Sequence, residues 1–112
     1  MADDRTASSS PVIERIWRGA TRAADADAYL EYLRRTGIPG YAGTPGNLGV
    51  RTLHRIVNGR AEFVLVSRWD SLDSIRAFAG DDIERAVFYP EDDRYLVERE
   101  ERVSHFVVVD ER

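Results

Sequence analysis

The dipeptide Asn58-Gly59 constrains this chain more than any other feature of it. On either side lie runs with strand-like composition, Leu48 to Val57 and Arg60 to Arg68. A two-residue type I′ turn needs positive φ at both central positions, which asparagine and glycine tolerate best, so the segment reads as a β-hairpin.

Upstream, Val12 to Arg18 is β-branched and aromatic between Pro11 and Gly19 and predicts a strand. From about Ala24 to Thr36, the residues Ala26, Tyr29, Leu30 and Leu33 recur at helical spacing, and Gly37 with Pro39 ends the amphipathic helix. Ile38 to Asn47 is rich in glycine and proline and reads as a loop, a flexible lid with Tyr41 as its apolar tip. Its glycines do not form a phosphate-binding motif.

Downstream, the third strand delivers Trp69 to the mouth of a helix over Ser71 to Ala79. Asp70 or Ser71 can cap it and Asp73 suits its first turn. Leu72, Ile75, Phe78 and Ala79 form its apolar stripe, and Gly80 is a natural stop. Asp81 and Asp82 can cap a further short helical piece carrying Ile83, Ala86 and Val87. Glu91 to Arg102 is mostly charged around Tyr95, Leu96 and Val97, and Val103 to Val109 reads as a last strand. The order β-α-β-β-α-β is that of a ferredoxin-like α+β fold, with helices on one face of an antiparallel four-stranded sheet.

The strands carry a second message. Phe63, Leu65, Ser67 and Trp69 share one face of the third strand, and Val64 and Val66 the other. Both faces are substantially apolar, yet helices can cover only one. A second copy is expected on the other, giving a homodimer with sheets packed face to face.

At 112 residues the chain suits one domain, over 12–110, after an acidic then serine-rich tail, 1–11, expected to be disordered. A net charge of −4 with interspersed arginines argues against a nucleic-acid partner. No apolar run approaches the roughly 20 residues of a membrane span, and Met1 to Ser10 lack an apolar core, so no signal peptide is expected. The chain has no cysteine, which removes disulfides, thiolate chemistry and zinc-finger or iron–sulfur sites, and the cytoplasm is the expected compartment.

Few residues carry chemistry. His54 and His105 are the only histidines and the candidate general bases, because an imidazole titrates near pH ~6.5. The bland alternative is a hydrogen-bonding histidine of core or interface. Two histidines without a spaced acidic partner are too few ligands and make a weak metal site, so none is expected. Asp81-Asp82 and Asp92-Asp93 read as caps and solvated surface. Trp69, at a strand–helix junction, is the leading candidate to wall a pocket for a small aromatic or hydrophobic molecule. Trp17, Tyr29, Tyr41, Phe63 and Phe78 are further lining candidates, although most aromatics at such spacing are simply core. Arg15 shares a strand face with Trp17 and, lying among apolar neighbours, must find an anionic partner. Arg15 and Arg51 are the candidate oxyanion partners.

The strand order, Trp-Asp-Ser-Leu at 69–72, Phe-Ala-Gly at 78–80 and Tyr-Pro-Glu-Asp at 89–92 resemble the antibiotic biosynthesis monooxygenase family of the dimeric α+β barrel superfamily. The likeness runs from about Val12 to Asp110. It implies a two-sheet dimeric barrel with a pocket between sheet and helices in each subunit. It also implies either cofactor-free oxygenation of a phenolic, polyketide-like substrate or haem degradation. The haem-degrading branch resembles this chain at Trp69. It places its axial histidine in the following helix, where this chain has Phe78-Ala79-Gly80, and its pocket asparagine has no match among Ile13 to Trp17. The expected enzyme therefore uses no cofactor. It needs a base, a donor for the oxyanion and dry aromatic walls. Other outcomes are an isomerase or lyase on the same barrel, or a non-catalytic dimer that binds a hydrophobic ligand.

Overall fold

In a computed structural model, which describes residues 11–112, the hairpin forms as expected. Strands β2 (Asn47–Val57) and β3 (Arg60–Trp69) pair across Asn58 and Gly59, whose φ values are +52° and +77°. Strand β1 (Ile13–Arg22) runs antiparallel to β3 over its whole length, from Ile13 opposite Trp69 to Arg22 opposite Arg60. It passes through Gly19 instead of ending there. The indole of Trp17 lies over that glycine, and an added Cβ would come within 2.4 Å of the ring.

The other edge of β1 is shared by two short strands, β4 (Leu96–Arg99) and β5 (Ser104–Val107), so the sheet order is β2-β3-β1 with β4 and β5 end to end. The single last strand expected over 103–109 is thus shorter at its end, and extends earlier after a break. At the break the Glu100 carbonyl accepts the Trp17 indole N–H at 3.0 Å, and the Val103 N–H donates to Glu84 at 2.7 Å.

After a 3-10 turn, helix α1 (Ala26–Arg35) and helix α3 (Leu72–Ala79) cover one face of the sheet. The Ser71 hydroxyl caps α3 by accepting from the Ser74 N–H at 3.1 Å, and Gly80 ends it at φ +92°. Tyr29 and Leu33 of α1 and Ile75 of α3 meet Trp17, Phe63, Leu65 and Trp69 in the core.

Two segments differ from expectation. Part of the glycine-rich loop is helix α2 (Gly37–Ala42), and Tyr41 is buried rather than at an exposed tip. Packing of that ring on Phe78 and Trp69 outweighs the low helix propensity of its glycines and proline. Conversely, no helix forms over 81–87. The carbonyls of Ile83 and Arg85 accept instead from the Arg15 guanidinium, and the Ala86 N–H donates to Glu101. A single turn, α4 (Asp92–Tyr95), precedes β4.

The sheet face away from the helices has an apolar strip, including Ile16, Val64 and Val66, but it is not apolar throughout. Ion pairs border it, Arg55 with Glu62 at 2.6 Å and Arg68 with Glu14 at 3.2 Å. A depression of about 530 Å³ bounded by Ala20, Leu53 and Val64 lies there. The expected tail falls, apart from Pro11, outside the described residues. No helix among the described residues is long and apolar enough to cross a membrane.

Candidate functional site

Arg15 anchors the site. It lies on the helix-facing side of β1, between Ser67 of β3 and His105 of β5, and only 2% of it is exposed. Its Nη1 donates to the Ile83 carbonyl and lies 3.1 Å from His105 Nε2, while its Nη2 donates to the Arg85 carbonyl at 2.8 Å. The guanidinium carbon stands 5.6 Å from the centre of the Phe78 ring. Its buried Nε–H has no acceptor. Among the described residues it makes no ion pair, although a charge this deeply buried ordinarily has one.

The contact with Arg15 decides the state of His105. A guanidinium can only donate, so Nε2 must accept, which requires a neutral ring. Burial and then the adjacent cation lower the His105 pKa below its usual value.

Asp92 is the second buried charge-bearing group, at 5% exposure. One carboxylate oxygen accepts from the Tyr29 hydroxyl at 3.2 Å and the other from the Tyr89 N–H at 2.6 Å. Burial raises its pKa despite the opposing effect of those bonds. Burial likewise raises that of Tyr29, with Asp92 adding to the rise. The Tyr41 ring stacks on Phe78 with centres 4.7 Å apart. Burial pushes its hydroxyl up to about 12, with the Arg15 cation pulling down and Tyr89 and Asp92 pushing up.

Arg15, Tyr41 and Asp92 wall one cavity between sheet and helices, with Trp17, Tyr29 and Phe78, beneath Phe88 and Tyr89. Its volume is about 20 Å³, room for little more than a water molecule. The pocket that the resemblance implies between sheet and helices is therefore mostly filled by side chains. An aromatic guest requires the covering segment 81–90 to move. That segment has no helix or strand of its own and is tied down by Arg15 and by the bond from the Ala86 N–H to Glu101 at 2.9 Å.

The fold gathers Arg15, Trp17, Tyr29, Tyr41 and Phe78 around this cavity. Trp69 faces inward, fully buried, and donates to the Ser67 hydroxyl at 2.8 Å. It stands behind Tyr41 and Phe78 instead of lining the space. Phe63 is similarly one layer back, edge-on to Tyr29 at 5.1 Å. His105 reaches the site through Arg15.

His54 is elsewhere, exposed on β2 and stacked on Phe63 at 5.4 Å. It pairs with Phe63 and Gly19, four steps along β1 from Arg15, the partner of His105. At about 3.3 Å per residue and 4.8 Å per strand, the histidines are separated by about 13 Å along the strands and 14 Å across them. They cannot serve one reacting atom. Arg51 is exposed on the far face, opposite Val66, and does not join Arg15.

Asp92 is the residue that sequence reasoning missed. Asp93 is exposed as expected, but Asp92 is not. Its turn role is real, since it accepts from the N–H of Tyr89. Nothing in the local sequence shows that Tyr29, 63 residues away, closes over its other oxygen. The larger depression on the far face is a weaker candidate. All four of its arginines are paired, Arg18 with Glu100, Arg55 with Glu62 and Arg60 with Glu98 inside it, and Arg99 with Asp93 and Glu101 beyond its edge.

No family model matches this sequence, and neither does any curated protein. Solved structures do match in fold. A candidate antibiotic biosynthesis monooxygenase from Bacillus cereus superposes with a TM-score of 0.63 at 14% identity, over 92% of this chain and 98% of that one. The haem degrader MhuD of Mycobacterium tuberculosis, solved with two haems in its active site, gives 0.55 at 22% identity, over 91% and 99%. Rv0793 of the same organism gives 0.54 at 18%, over 90% and 96%. The chain therefore has the fold of the antibiotic biosynthesis monooxygenases.

Proposed function

We propose that this chain is a cytoplasmic, homodimeric enzyme of the antibiotic biosynthesis monooxygenase type, which oxidises a phenolic, polyketide-like aromatic with molecular oxygen and without a cofactor. The observation that carries this reading is the buried Arg15 cation among the aromatic walls of the cavity, with no carboxylate partner among the described residues. Ground-state oxygen takes electrons from an electron-rich phenolate, so the protein must make the anion, hold it and keep water away. Arg15 supplies the cation, and Tyr41, Phe78 and Trp17 the walls, with Trp69 bracing them. His105, with its Nε2 lone pair engaged, positions Arg15. His54 and Arg51 fall outside this site.

The second copy is assigned to the far sheet face. Its apolar strip and the exposed Phe106 would be covered by the same strip of a partner, with the bordering ion pairs at the rim.

The residues present do not fit a haem. Neither histidine lines the cavity, His105 Nε2 faces a cation, and Phe78 and Gly80 occupy the helix end where a ligand would be sought.

Oxygen uptake measured against a panel of hydroxyanthracenones and hydroquinones tests the reading. Uptake that follows phenol addition supports it. Turnover that persists under strict anaerobiosis would instead mark an isomerase or lyase, and ligand binding with no turnover a carrier.

A further inference from the structure

We infer that the segment 81–90 is a pH-controlled cover: neutral His105 keeps the Arg15 guanidinium fastened to the segment's backbone, and protonation of His105 releases it and opens the cavity. This goes beyond the proposed reaction and holds whatever the cavity binds.

Arg15 is a buried cation whose acceptors among the described residues are all uncharged. Its Nη1 donates to the Ile83 carbonyl and lies 3.1 Å from His105 Nε2, and its Nη2 donates to the Arg85 carbonyl at 2.8 Å. Two of these acceptors belong to the cover. The other, His105, is the only one that can gain a proton near neutrality. Protonation removes that acceptor and sets a second cation directly opposite Arg15 on the neighbouring strand, where like charges are unfavourable. Phe78 and Tyr41 hem the guanidinium in on the cavity side. Its Nε–H already lacks an acceptor, so a further loss is relieved by water. Water reaches it once Ile83 and Arg85 lift away.

The surrounding charges set the direction. From β1 the Arg15 cation opposes protonation of His105, and from the cover the Glu84 carboxylate favours it. Burial and the cation prevail and hold the His105 pKa below its usual value, so the cover stays shut at neutrality. On the outer side Arg102 holds Asp82 at 2.9 Å and Glu84 at 3.3 Å, exposed pairs that fasten the cover only weakly. A protonated His105 is drawn to Glu84 and competes with Arg102 for it. Across the cavity, Tyr41 keeps its proton and Asp92 is bonded to Tyr29 and Tyr89. Because a guest requires the cover to move, acidification favours entry.

The test is amide hydrogen exchange of the intact chain at pH about 7.5 and about 5, each rate divided by the intrinsic rate at that pH. The Ala86 N–H bonds Glu101 at 2.9 Å and the Val103 N–H bonds Glu84 at 2.7 Å, so these amides report opening. At the lower pH their protection, with that of 81–90, should fall about tenfold or more relative to β3. The midpoint of the fall should match the titration of the His105 imidazole followed by NMR, resolved from that of His54. In His105→Gln, whose amide oxygen accepts from Arg15 but takes no proton, the cover should stay protected at both values. An equal loss in β3 means general destabilisation and overturns the inference. So does an unchanged cover while His105 titrates, since the imidazolium then turns aside and leaves Arg15 fastened. A fall that persists in the variant belongs to other groups and overturns it equally. The match of midpoints in the unaltered chain decides the matter even if the variant does not fold. No ligand is used, so failure here leaves the proposed reaction standing.

Discussion

Arg15 Nη1 and His105 Nε2 face each other at 3.1 Å across β1 and β5, a pair in which only the neutral imidazole can accept. The folded state therefore resists protonation of His105, and its pKa lies below the unfolded value of about 6.5. In the interval between those two values the unfolded chain binds more protons, so stability rises with pH. The contribution is complete above pH about 6.5 and is lost as pH falls through the folded pKa. Urea midpoints compared at pH about 7.5 and about 5 should drop at the lower pH, and His105→Gln should flatten that drop. An equal drop in the variant would assign it to other groups.

Arg15 also fastens the cover of the cavity. Arg15→Met keeps much of the bulk but strips the donors from the Ile83 and Arg85 carbonyls. The expected cost is about 2–5 kcal/mol in chemical denaturation. Amide exchange in 81–90 should accelerate more than in β3. Uniform acceleration across the sheet would mean that Arg15 supports the whole fold and not this segment.

Ser67 carries the polar end of the buried Trp69. Ser67→Ala leaves the indole N–H without its acceptor and should cost about 1–3 kcal/mol. In a Trp69→Phe background, where there is no N–H to satisfy, the same change should cost clearly less. A double-mutant cycle checks this, and simple additivity would separate the two residues.

The dimer is tested on the far sheet face. Val64→Asp places a charge within the apolar strip without touching the helix side, where Phe63 and Leu65 lie. Sedimentation at micromolar concentration should show a dimer for the unaltered chain and a monomer for the variant, with little loss of helix signal. A monomeric unaltered chain refutes the assembly.

The hairpin, the two long helices and the strand order were legible because each has a local cause. Asn58-Gly59 favours one turn, Ser71 and Gly80 punctuate α3, and the alternation along β3 states which residues face inward. Five of the ten candidate site residues meet at one cavity, four of them for the same reason. β1 alternation put Arg15 and Trp17 together, and helical spacing put Tyr29 and Phe78 on covered faces.

What only the tertiary structure decided depends on contacts distant in sequence. Arg15 binds the carbonyls of Ile83 and Arg85 in a segment that reads locally as a short helix and is irregular in the fold. Tyr41 is buried against Phe78, which turns an expected loop into a helix. Asp92 is sealed by Tyr29 and becomes part of the site instead of the surface. Local sequence determined the hairpin, the strand order and the two long helices, through propensity, capping and periodicity. Which polar groups end in the dry interior is set by the elements that close over them, and no local pattern encodes that.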